Sequence, residues 1–203
     1  METGSSGTRG RATGIVLAGG RSVRMGRDKG SIVLDGRPML SIAIDLVASV
    51  ADEVIVSCRS DVNIEPLPHV PRPVRLVHDG RAGGPLAGLE ASLAAARYEL
   101  AVVVPVDMPW LEQAALEELC ATARARPGAS AVVFASESGP VPLPAVYRRS
   151  VLPFVSAQLD AGDLRLGNLL RRLQPLMLPL DPARADRILA NVNEPADLRR
   201  LRG

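Results

Sequence analysis

The stretch from Thr13 to Ser31, T-G-I-V-L-A-G-G-R-S-V-R-M-G-R-D-K-G-S, limits this chain more than any other. A short apolar run, Ile15 to Ala18, meets two adjacent glycines, Gly19 and Gly20. A polar loop follows, with Arg21, Arg24 and Arg27, then Asp28 and Lys29. A buried strand entering a glycine-rich cationic loop suits a polyanion, because glycine lets backbone N–H groups approach a ligand and cations add charge-assisted bonds to phosphate oxygens. A solvated surface turn is the plainer reading of the same residues. Two familiar phosphate motifs do not fit. G-x-G-x-x-G is ruled out because Gly19 and Gly20 are adjacent, and G-x-x-x-x-G-K-[ST] because Arg27 and Asp28 separate Gly26 from Lys29.

The rest of the composition narrows the class. At 203 residues the chain suits one domain with a substantial core. With 47% apolar residues it is not globally disordered, and with 2% aromatic residues its core rests on Ala, Val and Leu. A formal charge of +2 and the scarcity of stacking aromatics argue against a nucleic-acid binder. Cys58 and Cys120 form neither a C-x-x-C pair nor a disulfide framework and read as small buried hydrophobes of a reducing compartment. His69 and His78 alone make no conventional zinc site. Residues 1–12 read as a flexible tail without a signal-peptide h-region, and residues 13–203 as one domain. No apolar run reaches the ~20 residues that span a bilayer, so the expectation is a cytoplasmic protein with no membrane partner.

Apolar runs alternate with helical patterns, which predicts an α/β fold with a mainly parallel sheet. Strands are expected at 14–18, 53–57, 74–78, 100–106, 131–135 and 176–180, with a short extended piece at 32–34 turned by Asp35-Gly36. A strand of different direction is expected at 145–147, after the proline-rich stretch 139–144. Helices are expected at 38–50, 85–97, 111–124, 150–161, 167–173 and 195–201, the last capped by Asn193. The run Leu100 to Val106 reads as a central strand buried on both faces, with its ladder ending or bulging at Pro105. Gly88 marks a close approach within the helix that Pro85 opens. In such a sheet ligands sit beyond the carboxyl ends of the strands, which gathers Gly19, Ser57, Asp79 and Asp107 along one edge. Asp107 is open to two roles, a cap before Leu111 or an exposed carboxylate for a metal-bound phosphate. Asp79 is likewise a simple Asp-Gly turn or a ligand group.

Leu17 to Lys29 (L-A-G-G-R-S-V-R-M-G-R-D-K) resembles the signature of nucleotidyltransferases that activate small phosphorylated acceptors, and above all that of the molybdenum cofactor guanylyltransferases. G-P-L-A-G-L at 84–89, V-D-M-P at 106–109 and N-V-N-E-P-A-D-L at 191–198 follow in the same order and spacing, so the resemblance covers nearly the whole chain. It implies a Rossmann-like three-layer sandwich of the nucleotide-diphosphosugar transferase type, mostly parallel with one reversed strand. It further implies GTP as donor, molybdopterin-bound molybdenum as acceptor, Mg²⁺ as cofactor and transient contact with molybdoenzyme maturation proteins. Arg24, Lys29 and Asp107 would be catalytic, with Asp107 on the metal. Leu17, Ala18, Gly19, Gly20, Lys29, Asp79, Gly84, Asp107, Asn191 and Asn193 would hold the nucleotide or complete the metal shell. Asp163, Arg165 and Asn168 fall in a segment expected near the acceptor.

The chain departs from the family at two points. Ser57 stands where relatives often have asparagine, and Val141 to Ala145 reads V-P-L-P-A where relatives often carry His-Pro. Within the resemblance G-P-L-A-G-L favours guanylyl transfer. The alternatives are a cytidylyltransferase of the same cofactor, another small-acceptor nucleotidyltransferase, or a nucleotide-binding regulatory protein without catalysis. A dinucleotide-dependent oxidoreductase lacks its glycine fingerprint.

Overall fold

The computed structural model describes residues 10–19, 29–59, 71–192 and 197, with Lys29 described in its backbone alone. Gly20, Arg24, Asn193, the expected helix at 195–201 and most of the proline-rich connection before residue 74 lie outside the described residues. The main strands are β1 (Ala12–Leu17), β4 (Glu53–Arg59), β5 (Val74–Asp79), β6 (Leu100–Pro105), β7 (Ala131–Ser136), β8 (Gly139–Arg148) and β9 (Leu176–Pro179). A separate ribbon pairs β2 (Val33–Leu34) with β3 (Arg37–Pro38) across Asp35-Gly36, both with positive φ. That is the conformation an Asp-Gly hairpin turn supplies. The helices are α1 (Met39–Ala48), α2 (Pro85–Ala95), α3 (Gln113–Ala125), α4 (Leu152–Asp160), α5 (Leu166–Leu173) and α6 (Pro182–Ile188).

The seven main strands lie in the order β5-β4-β1-β6-β8-β7-β9, all parallel except β8, which runs against both neighbours. Strand alternation splits the core in two. Val16, Val54, Val56, Val102 and Val104 pack on α1, α3 and α6; Ile15, Ile55, Ala101 and Val103 pack on α2, α4 and α5. β6 thus feeds both clusters, as its unbroken apolar run predicts. The expected mixed α/β sandwich with one reversed strand is the observed one. Among the described residues no helix is long and apolar enough to cross a membrane.

Three expectations need correction. β1 begins at Ala12, fully buried, so the tail expected over 1–12 ends before it; the Ala12 N–H donates to Asp52 Oδ2 at 3.0 Å. The strand expected at 145–147 begins at Gly139, so the proline-rich 139–144 segment is the first half of β8. It escapes the usual prohibition because the ladder to β6 covers only 145–148, while on the β7 side Val133 faces Ala145 and Phe134 faces Val141, looping out Pro142, Leu143 and Pro144. Tyr147 Oη donates to the Pro142 carbonyl at 2.9 Å and braces that bulge. Last, α6 forms where no helix was expected; its start is set by the Asp181 carboxylate accepting from the Arg184 N–H.

At the amino ends of the strands Glu53 is buried, 1% exposed, yet fully engaged. Thr13 Oγ1 and the Arg97 N–H both donate to its Oε1 at 2.8 Å, and Arg75 donates to its Oε2 at 3.0 Å. Burial pushes the Glu53 carboxyl up, but those three donors outweigh it and hold the group below the usual carboxylate range. A lowered native pKa means that the stabilisation is complete above the unfolded value and is lost as pH falls through the native one. Glu53→Gln should lower unfolding free energy by about 1–3 kcal/mol at neutral pH in urea titrations, with the gap to wild type narrowing in acid. Gly14 is a tight strand–helix approach: a Cβ there would stand 3.0 Å from Val47 Cβ and 3.2 Å from Ala51 Cβ. Gly14→Val must push α1 off β1 and should cost about 3 kcal/mol in the same measurement.

Candidate functional site

β1 is followed leftward by β4 and β5 and rightward by β6, so strand order reverses between β1 and β6. A reversal of strand order leaves a crevice at the carboxyl ends of the strands. That crevice is a cleft of about 480 Å³, its open mouth included. Its lining includes Leu17 and Gly19 after β1, Ser57 in β4, Asp79 at the end of β5, and Asp107 after β6. The floor is closed by two backbone bonds: the Ala18 N–H donates to the Ser57 carbonyl at 2.8 Å and the Val106 N–H to the Leu17 carbonyl at 3.1 Å.

α2 forms the front wall. Gly84 precedes it with φ +57°, a conformation that side chains strain, and Pro85 fills the first turn, where no N–H is needed. Both line the cleft, so the positive end of the α2 dipole faces it. Gly88, one turn on, lets α2 settle against the strands: a Cβ there would lie 2.8 Å from Ser57 Oγ and 3.3 Å from Leu17 Cδ2. The loop before α2 is clamped by Arg81, which bonds Asp160 of α4 at 2.7 Å and Glu90 of α2 at 3.3 Å.

Of the residues singled out from sequence, Leu17, Gly19, Asp79, Gly84 and Asp107 converge on this cleft. Ala18 belongs to its floor but turns its methyl into the α1 core. Asn191 is exposed and reaches the site through its neighbour, because the buried Val192 donates its N–H to the Asp107 carbonyl at 2.8 Å. The late N-V-N segment and the V-D-M-P segment therefore meet. The Lys29 side chain, Gly20, Arg24 and Asn193 lie outside the described residues. Asp163, Arg165 and Asn168 form a closed turn instead of lining the cleft: Asp163 accepts from the Arg165 N–H at 3.2 Å and from Asn168 Nδ2 at 2.7 Å.

The Val141–Ala145 segment, where relatives often carry His-Pro, was expected to face the acceptor; the β8 bulge carries its Leu143 into the cleft wall. Arg59 was not singled out from sequence; its backbone N lies 3.7 Å from where a Gly19 Cβ would stand. Only pairing shows this proximity, since a neighbouring strand end has no local sequence signal. Both cysteines are buried as expected, and burial pushes the Cys120 thiol up to about 11, which leaves it inert.

The chemistry available follows from position. The ends of β5 and β6 are three interstrand spacings apart, roughly 14 Å. The cleft between Asp79 and Asp107 is thus an elongated trough, walled by apolar side chains and backbone, with a carboxylate toward each end. Gly19 approaches Asp79 closely, a Cβ there lying 3.4 Å from Oδ2. Among the described residues no group of three His, Cys, Asp or Glu side chains is placed to hold a metal. Asp107 fits an ion that takes few protein ligands and completes its shell from phosphates and water.

Comparison with known proteins agrees with this geometry. The sequence profile of the MobA-like NTP transferase domain matches residues 14–176. A molybdenum cofactor guanylyltransferase of Pseudomonas putida is 34% identical over 184 residues, covering 89% of this chain and 92% of its own. A probable molybdenum cofactor guanylyltransferase of Flavobacterium johnsoniae is 26% identical over 93% of this chain and 95% of its own. Among solved structures, molybdopterin-guanine dinucleotide biosynthesis protein A of Archaeoglobus fulgidus superposes with a TM-score of 0.74 at 23% identity, covering 93% of this chain and 96% of its own. A CMP:2-keto-3-deoxy-manno-octonic acid synthetase complexed with CTP gives 0.73 at 14% identity, over 95% and 97%. These last two speak to the fold alone. With its profile matched over most of its length and Gly19, the start of α2 and Asp107 at one sheet edge, the chain belongs to the MobA-like NTP transferase domain family.

Proposed function

We propose that the protein transfers GMP from GTP to molybdenum-bound molybdopterin, releasing pyrophosphate and forming the guanine dinucleotide cofactor. The observation that supports this reading is one cleft lined by both Gly19 and Asp107, the latter held from the late segment by the Val192 N–H on its carbonyl. The relatives named as molybdenum cofactor guanylyltransferases support the acceptor and the base.

In this reading the guanosine lies toward Asp79 and Gly84, where backbone and the α2 N-terminus supply donors and the glycines at 84 and 88 let α2 pass close to the ring and ribose. The phosphates extend toward Asp107. The acceptor's phosphate oxygen attacks the α-phosphorus, a new P–O bond forms, and the bond to the bridging oxygen breaks as pyrophosphate leaves. Lys29 and Arg24 offset the negative charge of donor and leaving group. Asp107 would hold Mg²⁺, which when bound neutralises phosphate charge and fixes the in-line arrangement. Asn191, next to the Val192 that bonds the Asp107 carbonyl, and Asn193 would complete the metal shell. Leu143 offers the acceptor an apolar wall in place of the His-Pro of relatives. Delivery of the product then involves passing contact with the proteins that load molybdoenzymes.

Asp107→Asn should reduce turnover about a hundredfold or more while leaving the circular dichroism spectrum and unfolding midpoint near wild type. Wild-type turnover in that variant removes the metal assignment. GTP with Mg²⁺ at about a hundred times its dissociation constant should raise the melting temperature by roughly 5–10 °C, and CTP by much less. The opposite order of the two nucleotides would assign the protein to cytidylyl transfer.

A further inference from the structure

The loop that presents Asp107 is held at both ends by one distant element. It leaves β6 at Pro105 and enters α3 at Gln113, and an internal backbone bond runs from the Leu111 N–H to the Met108 carbonyl at 3.2 Å. α3 has no side-chain cap at Glu112. Glu112 instead faces α6. Arg187 donates to its Oε1 at 2.6 Å, and Arg184 lies 3.5 Å from its Oε2 while donating to Glu118 at 3.1 Å. α6 buries only Ala185 and Ile188, so apolar contact alone fixes it weakly. Four residues after α6 the Val192 N–H reaches the Asp107 carbonyl.

We propose that Glu112, Arg184 and Arg187 form a latch that locks α6 onto the start of α3 and thereby positions Asp107 and the returning Asn191–Val192 segment. Single exposed ion pairs contribute little, but here two arginines share one carboxylate and a second glutamate completes a network across two helices. Glu112 sits at one end of the Asp107 loop and Val192 meets the other, so release of the latch loosens both sides of the metal site together. The three are positioning residues; none lines the cleft. The Arg187 hydrogen bond holds the Glu112 carboxyl below its ordinary range, so the latch is charged at neutral pH. The inference rests on the reading of Asp107 as the metal aspartate.

The test uses the full chain and the variants Glu112→Gln, Arg187→Gln and their double, with Arg187→Lys as the conservative substitution. Amide hydrogen exchange at Val192 should quicken about tenfold in both single variants, while Val102 and Val103 in β6 keep their protection. The Mg²⁺ concentration for half-maximal GTP turnover should rise about fivefold, with Mg²⁺-free GTP binding unchanged by calorimetry. The double variant should be no worse than either single one, and Arg187→Lys should retain most of the wild-type behaviour. Unaltered Val192 exchange in Glu112→Gln, or additive losses in the double variant, overturns the latch. An unaltered Mg²⁺ requirement in Asp107→Asn overturns the metal assignment instead, and Val192 exchange then decides the latch by itself.

Discussion

The parallel pairing of β1 with β6 is the contact on which the rest of the molecule depends. Six register pairs, from Ala12 with Leu100 to Leu17 with Pro105, set the ends of the two strands level. The bond from the Val106 N–H to the Leu17 carbonyl carries that alignment one residue beyond the ladder. Pro105 has no N–H to give, so the sheet stops and the chain turns toward solvent with Asp107 at the tip. β1 stops at the same height, so Gly19 and Asp107 line the same cleft. Slippage by one residue would invert the faces of both strands and move Val16 and Val104 out of the core they share.

From that pairing the trough follows. β4 and β5 extend the sheet on one side and bring Ser57 and Asp79 to the same edge. α2 crosses in front, close because Gly88 leaves no side chain between it and Ser57. The reversed β8 closes the other flank, its bulge braced by Tyr147 so that Leu143 faces the ligand space. Reactive groups are thus carried by strand ends and one helix start, elements whose positions the core fixes. This rigidity suits a reaction in which the protein chiefly positions charged groups.

Stability and function are placed at opposite edges of the sheet. The buried Glu53 with Thr13, Arg75 and Arg97 secures the amino ends, where no ligand group is needed. At the carboxyl ends the half-buried Asp79 and Asp107 line the cleft. Burying a carboxylate without donors would be costly, and Glu53 avoids that by accepting from Thr13, Arg75 and Arg97.

The sequence by itself determined the alternation of strands and helices, the double-faced burial of β6, the Asp-Gly hairpin and the helix opened by Pro85. Each depends on a local property: period of hydrophobicity, glycine at positive φ, proline at a first turn. It also marked Gly19, Asp79, Gly84 and Asp107, because a residue just past an apolar run lies at a strand end in any parallel sheet. Tertiary structure alone decided that Pro142 to Pro144 form a bulge rather than a loop, since only pairing with β6 and β7 shows which N–H groups the ladder does without. It alone placed Leu143 in the cleft and Val192 on Asp107, contacts between residues far apart in the chain. α6 was illegible for the same reason: a seven-residue helix has little propensity of its own and exists by docking through Ile188 and its arginines onto α3.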